Sequence, residues 1–373
     1  MSETGHHGYD GHGAGSPSWR ARLQQVISEV QPLIPLYPFQ SYGNKRRLLP
    51  YILSLIPERT TSFVDLFSGT GIVSWAVKRL GVRIISNDIM GFAAARARCL
   101  VGNNRTTFTQ DEIQMLLQPN QQGEDYIRRY HGTIFNEASM AFWRSWTANL
   151  PKLDSKLKRR VAAIAPVIVI LKRQQYGHVR LSPLGTPTGG RTYLDVDLRR
   201  ETISFLRTTL PLLLHDNGQR NGVHQCDAVQ LIRTLRPDVL YLDPPYVCGG
   251  GTYEIGFAFY DDLLRFSEGN GHLVVNPYDT KADLQPYTRF ENPNEASEGF
   301  AKLFRNSLHI PTLIISYNTT SDLCIGEIET LARDYGRIVQ TTYIDCSRPT
   351  TVAGYNCRTQ EILMVCRSGR ASR

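Results

Sequence analysis

With 373 residues, 41% of them hydrophobic and 20% charged, the chain can build one large α/β domain with an insertion, or two domains, and wholesale disorder is excluded. The net charge of +8 is concentrated: residues 96–207 hold 18 Lys/Arg against 9 Asp/Glu, which leaves the remainder near neutral. A basic block in a neutral frame suits either a polyanion-binding face or a solvated surface without a partner. The seven cysteines contain no CxxC pair, which argues against a zinc ribbon or a thioredoxin motif and fits reduced thiols in a cytoplasmic protein.

In chain order, the first 16 residues, with His6, His7 and His12 among glycines, read as a flexible tail without the apolar stretch of a signal peptide. Residues 21–34 and 46–56 have helical spacing, the second ended by Pro57. Residues 62–67 form an apolar strand that stops at Ser68-Gly69-Thr70-Gly71. A helix over 72–80 follows, closed by Gly81, and then a strand over 82–86 ending at Asn87-Asp88. Strand, glycine turn, helix, strand is a βαβ unit and predicts a parallel sheet. Residues from about 95 to 210 differ. They hold Phe135, Phe142, Trp143 and Trp146, the basic run Lys156 to Arg160, and a Gly/Pro-rich stretch from Gly177 to Gly190, and they read as a mainly helical insertion with an exposed loop. The apolar run near 161–171 is too short to span a bilayer and predicts a buried helix. Strands resume at 223–226, 239–242 and 313–316, and 337–343 with 361–366 predict a closing pair.

The strongest chemical signal is Asp243-Pro244-Pro245-Tyr246, directly after the strand 239–242. Two prolines cannot donate to a sheet ladder, so the strand ends there in a rigid turn at the edge where open α/β sheets place their sites. The turn offers a carboxylate, a free proline carbonyl and an aromatic ring. An exocyclic aromatic amine is a poor nucleophile because its lone pair is delocalised. Two acceptors on its N–H bonds favour a pyramidal nitrogen, and an aromatic ring can stack on a base drawn out of the helix. The same tetrapeptide is also compatible with a plain strand-ending turn whose Asp is solvated.

Three further signals are weaker. In Asp65-Leu66-Phe67-Ser68-Gly69-Thr70-Gly71 the glycines let the backbone approach a ligand at a helix N-terminus, and Asp88 ends the next strand where an acid can accept from ribose hydroxyls. The full GxGxxG fingerprint is absent, and a tight turn with a capping Asp88 explains the same residues. Gly43-Asn44-Lys45 precedes the first strand, and Lys45, Arg46 and Arg47 are equally a solvated helix start. Asp227, after the strand 223–226, either contacts an amine or caps a helix.

In this order the segments resemble the alpha group of DNA adenine-N6 methyltransferases, the Dam-like or D12 class, over roughly residues 37 to 366. The resemblance implies an α/β, Rossmann-like sheet with helices on both faces, residues 21–95 and 210–373 forming the catalytic domain after a tail over 1–20. It makes 96–209 an inserted, mainly helical target-recognition domain. It implies S-adenosylmethionine as methyl donor and double-stranded DNA as substrate. Tyr42 and Lys45 would close over the donor's methionine end, and Asp65, Phe67, Gly69 and Gly71 would line its pocket. Asp88 would hold the ribose and Asp227 the adenine ring of the donor. Asp243, Pro244, Pro245 and Tyr246 would bind the target adenine. Tyr176 to Arg180 is similar to a family segment with an arginine in a DNA-contacting hairpin. Phosphate contacts are expected from Lys156, Lys158, Arg159, Arg160, Lys172, Arg173 and Arg180, and base-edge readers from the 177–191 loop.

Two departures stand out. Asn44 replaces the usual small residue before the lysine, and Gly249-Gly250-Gly251 reads as a mobile lid. The stretch 253–286 carries no assignable motif. Direct methyl transfer needs no metal, and Cys248 lacks the preceding proline of a cytosine-C5 nucleophile. The rival readings are N4-cytosine methylation, methylation of RNA or of a protein glutamine, and a DNA-binding protein without catalysis. Asp rather than Ser at position 243 favours adenine, and the basic insertion favours duplex nucleic acid.

Overall fold

The computed structural model describes residues 18–37, 45–122, 130–132, 134–173, 180–181, 187–189, 195–245, 253–268, 290, 293–319, 321, 323–345, 350–352, 355–357 and 360–369. Seven strands form one sheet: β1 (Ser62–Asp65), β2 (Arg83–Asn87), β3 (Gly222–His224), β4 (Val239–Leu242), β5 (Thr312–Asn318), β6 (Arg337–Asp345) and β7 (Gln360–Ser368). Their spatial order is β3-β2-β1-β4-β5-β7-β6. The pairs β3–β2, β2–β1, β1–β4 and β4–β5 are parallel, and β7 runs antiparallel between β5 and β6. This is the Rossmann-like, parallel-cored sheet expected from the sequence, with the predicted closing pair at one edge.

Both faces of the sheet are covered, and the strand residues divide between two cores with the period of two that a pleated strand imposes. Phe63, Val239, Tyr241 and Ile314 face one core; Val64, Leu66, Leu240, Leu242, Leu313 and Ile315 face the other. The first core takes helices α1 (Trp19–Val30), α2 (Leu49–Ser54), α3 (Ile72–Lys78), α4 (Gly91–Leu100), α6 (Glu137–Asn149) and α7 (Lys156–Arg173). Helices α5 (Gln110–Leu116), α8 (Leu198–Ser204) and α9 (Leu210–Leu213) border it, and α11 (Tyr253–Ser267) joins it. The second core takes α10 (Ala228–Leu231), α12 (Pro293–Asn306) and α13 (Ile325–Asp334). The helix expected over 46–56 is a 3-10 turn, Lys45–Arg47, followed by α2, with Pro50 in the first turn of α2, where its missing N–H costs nothing.

The apolar run of α7 is buried all round, as its composition predicts, and it contains Pro166. A proline inside a helix leaves the carbonyl four residues earlier without its donor. Here the Trp146 indole N–H donates to that carbonyl, Ala162 O, at 2.9 Å. One α6 aromatic thus both fills the core and repairs the α7 ladder. No helix among the described residues is long and apolar enough to cross a membrane.

The registers of β1 and β4 are tied at their starts by one side chain. Asp238 Oδ2 accepts from the Thr61 and Ser62 backbone N–H groups at 2.8 and 2.9 Å, and from their hydroxyls at 2.7 and 3.0 Å. Burial alone would raise the Asp238 pKa, but these bonds hold it below the ordinary carboxylate range. Stability from such a group is present above its unfolded pKa and lost as pH falls through the folded one. Asp238→Ala should therefore lower stability to urea by about 1–2 kcal/mol at pH 7, a figure discounted for its partial exposure. The loss should shrink as pH falls through the acidic range; a pH-independent loss would rule out the ionised clamp.

Candidate active site

Parallel pairing places Asp65 opposite Tyr241, so β1 and β4 end side by side. The backbone continues this pairing one residue beyond β1, Leu66 N–H donating to Tyr241 O at 3.1 Å. The glycine turn after β1 and the Asp-Pro-Pro turn after β4 therefore open at one sheet edge, at the point where strand order reverses.

After β1, Gly69 and Gly71 adopt left-handed conformations, with φ of 46° and 75°. Only glycine takes these angles without strain. A Cβ on Gly71 would also lie 3.4 Å from the Tyr37 hydroxyl, which donates to Thr70 O at 2.9 Å. Asp88 braces the turn from β2: Oδ2 accepts from Gly69 N–H at 2.8 Å and Oδ1 from Met90 N–H at 2.9 Å. Burial raises the Asp88 pKa, against the lowering by these backbone N–H groups and by Arg96, which itself donates to Gly69 O. Asn87 joins the ends of three strands. Its amide donates to Leu66 O at 3.1 Å and Cys226 O at 3.0 Å, and accepts from Cys226 N–H at 3.1 Å. Asp227, beyond Cys226, caps α10 by accepting from Gln230 N–H at 2.9 Å, the helix-capping alternative of the sequence reading, and it stands at the same edge.

The carboxylates carry an electrostatic load. Asp65 is 1% exposed, and its Oδ2 accepts from the Ser74 hydroxyl at 2.8 Å. Its Oδ1 is buried without a hydrogen-bond partner, as is the Ser68 hydroxyl. Burial pushes the Asp65 pKa up to about 7; Ser74 lowers it, and Asp243 and Asp88 raise it further. Asp243 is 17% exposed, and its Oδ1 meets the Lys45 ammonium at 3.0 Å. Burial pushes the Asp243 carboxyl up to about 6, opposed by Lys45 and reinforced by Glu361. Lys45, from the 3-10 turn, is 3% exposed and lies 4.0 Å from Glu361 Oε2 on β7.

The structure thus brings Asp65, Gly69, Gly71, Asp88, Lys45, Asp243 and Pro244 to one edge. Phe67, in the same turn, packs edge-on to Phe290, ring centroids 5.2 Å apart, beside the second core. Tyr42, Tyr246 and the glycines 249–251 lie outside the described residues, as do the side chains of Arg173 and Arg180. Of the expected phosphate contacts, Arg160 stands near Arg98, in the last turn of α4, and Glu268. That is about 15 Å along α4 from its start beside Asp88. Lys158 is paired with Glu112, and Arg159 with the Leu153 and Asp154 carbonyls. At the opposite end of α7 Lys172 is exposed. Arg180–Leu181 pairs antiparallel with Pro187–Gly189, so Arg180 lies in a short two-stranded element.

Asn87, Arg96, Tyr37, Asp261 and Glu361 escaped the sequence reading. Asp261, in the stretch without a motif, accepts from Phe92 N–H at 2.6 Å and Gly91 N–H at 3.4 Å. It caps α4 from α11, and burial pushes its pKa up to about 6. None of these residues has a spacing signal, because each meets the site from another element.

A carboxylate whose folded pKa lies above its unfolded one costs stability as pH rises between the two values. Asp65→Asn removes this cost. For protein free of donor, the stability of Asp65→Asn relative to wild type should increase from pH 5 to pH 8 by about 1–3 kcal/mol. Urea melts at both pH values measure it, and parallel pH dependences would show that Asp65 is not a strained acid.

Comparison with known proteins agrees with this geometry. Residues 41–165 match the profile of the D12 class N6 adenine-specific DNA methyltransferases. The chain is similar to the type II methyltransferase M2.HphI of Haemophilus parahaemolyticus, 23% identical over 321 residues that cover 82% of this chain and 90% of that protein. It is 24% identical to the type II methyltransferase M.NlaIII of Neisseria lactamica over 292 residues, 75% of this chain and 82% of that protein. The modification methylase StsI of Streptococcus sanguinis is 22% identical over 320 residues, 79% of this chain but 46% of that longer protein. A D12 class match over the segment that holds Lys45, the glycine turn and Asp88, joined to the Asp-Pro-Pro turn across the same sheet edge, identifies an enzyme of site-specific adenine methylation in DNA.

Proposed function

We propose that this enzyme takes its methyl group from S-adenosylmethionine and delivers it to N6 of an adenine flipped out of duplex DNA, at the edge where Asp65, Asp88 and Asp243 meet. The observation that carries the reading is the β1–β4 pairing, which sets the glycine turn beside the Asp-Pro-Pro turn. The donor fits the residues present. The unpartnered Asp65 Oδ1 and Ser68 hydroxyl are buried polar atoms in need of a ligand, and Gly69 and Gly71 leave the turn without side chains. Asp65 would take the donor's ammonium and Asp88 its ribose hydroxyls, with Asp227 standing nearest the adenine end. When bound, S-adenosylmethionine supplies an electrophilic sulfonium methyl.

The chain's own part is positioning and acceptance. Asp243 and the Pro244 carbonyl accept the two N–H bonds of the adenine amine, which turns its lone pair out of the ring. As N6 gains the methyl it loses one proton, and the Asp243 carboxylate, with its pKa near 6, is the adjacent acceptor. Tyr246, next in the chain, would stack on the extruded base. We assign DNA recognition to residues 96–209, with phosphate contacts from Lys172, Arg173 and Arg180 rather than from Lys156 to Arg160. The type II methyltransferases among the relatives support a role in protecting host DNA beside a restriction enzyme, in the cytoplasm where that DNA lies.

Asp243→Ala should reduce methyl transfer to duplex DNA at least about 100-fold while leaving donor affinity within a few fold. A normal rate in that variant would discard the site. Asp88→Ala should weaken donor binding, read by calorimetry, about tenfold or more; unchanged affinity would remove its ribose role. Expression in a methylation-free host, followed by nucleoside analysis, should yield N6-methyladenine. N4-methylcytosine in its place would overturn the choice of base.

A further inference from the structure

Lys45 lies between two carboxylates, and the second has no place in the chemistry above. Glu361 sits at the start of β7. Because β7 is antiparallel to β5, its beginning reaches the edge where the parallel strands end. Its backbone is fixed on both sides, paired with Asn318 on β5 and Ile344 on β6. Its Oε2 is buried, makes no hydrogen bond, and faces the Lys45 ammonium at 4.0 Å. Lys45 is held differently. It opens a three-residue 3-10 turn, and its ammonium hangs on a flexible four-carbon stem 3.0 Å from Asp243 Oδ1. An ammonium beside a lone carboxylate is free to settle astride both oxygens. A second carboxylate on a rigid strand pulls it to one side.

We propose that Glu361 is a positioning residue for methyl transfer: it draws the Lys45 ammonium toward β7, so that Lys45 engages Oδ1 of Asp243 and leaves Oδ2 to accept the adenine amine. The proposal rests on the assignment of Asp243 as amine acceptor. Among the described residues, four groups bear on Asp243 from the elements around it: Lys45 from the 3-10 turn, Glu361 from β7, Asp65 from β1 and Tyr241 from β4. Lys45 is the cation among them. Where it sits decides both the charge on Asp243 and which of its oxygens is available.

The test uses the whole enzyme with duplex DNA and S-adenosylmethionine, and reads rate, pH profile and donor affinity. Glu361→Gln keeps the shape and removes the charge. With Glu361 neutral, Lys45 closes on Asp243. Then kcat/KM for DNA should fall about 10–100-fold, and the acid limb of its pH profile should move down by about 0.5–1 unit, because a like charge beside Asp243 is gone. Lys45→Met should move the same limb upward. In the Lys45→Met background, adding Glu361→Gln should change the rate less than twofold, since the glutamate acts through the lysine. Glu361→Asp retains the charge, and it should keep the wild-type acid limb with an intermediate rate. Donor affinity and melting temperature should stay near wild type in both Glu361 variants, which separates positioning from folding. A wild-type rate and acid limb in Glu361→Gln would overturn the proposal, as would a full loss of rate on adding Glu361→Gln to Lys45→Met. Should wild type yield N4-methylcytosine in place of N6-methyladenine while the acid limb still responds to Glu361, the assigned base has failed and the lysine placement has not.

Discussion

Parallel pairing of β1 with β4 is the constraint from which the site follows. The two strands are separated by more than 170 residues of chain, yet Asp65 stands opposite Tyr241, and the Asp238 clamp fixes their starts in the same register. Strands locked at one end must emerge together at the other. A slip of one residue would send Asp65 to the opposite face and the Asp-Pro-Pro turn out of line. The tight double-sided core makes that slip costly, since Phe63, Val239 and Tyr241 would exchange places with Val64, Leu240 and Leu242.

The consequence of that pairing is electrostatic. Asp65, Asp88 and Asp243 are driven into one low-dielectric edge, where burial raises all three pKa values. Lys45 and Arg96 offset part of this cost. Asp65 Oδ1 and Glu361 Oε2 are left without hydrogen bonds, so the protein alone does not satisfy the site. The donor proposed above, which carries an ammonium and a sulfonium, would complement these charges.

Most of the frame was legible because it depends on local patterns. The βαβ unit, the parallel strands, the closing antiparallel pair and the buried helix over 161–171 follow from apolar periodicity and from glycine and proline punctuation. Asp65, Asp88 and Asp243 were found because each ends a strand. Lys45 was found as part of a motif, but its partner was not, since nothing in a sequence pairs residue 45 with residues 243 and 361. Asn87 and Asp261 were missed for the same reason. One ties three strand ends together and the other caps α4 from a helix that carries no motif. Such residues act across elements, and periodicity reports only on their own element.

The basic run of α7 shows the same limit in the other direction. Its charge was legible, but the direction in which the helix runs was not. The α7 helix packs along α4, and Arg160 stands near Arg98 in the last turn of α4, whereas Asp88 stands beside its first turn. A helix of 18 residues spans about 27 Å, so its two ends face different edges of the domain. In a parallel sheet the ligand edge is the one where strands finish. Any positive charge meant to hold DNA beside Asp243 must reach that edge, and the Arg160 end of α7 stands by the far end of α4. At that end Lys158 pairs with Glu112 and Arg159 with the carbonyls ahead of the helix, while Lys156 and Arg160 are exposed. Net charge therefore marks a segment, and chain direction decides which of its residues could stand beside the proposed site.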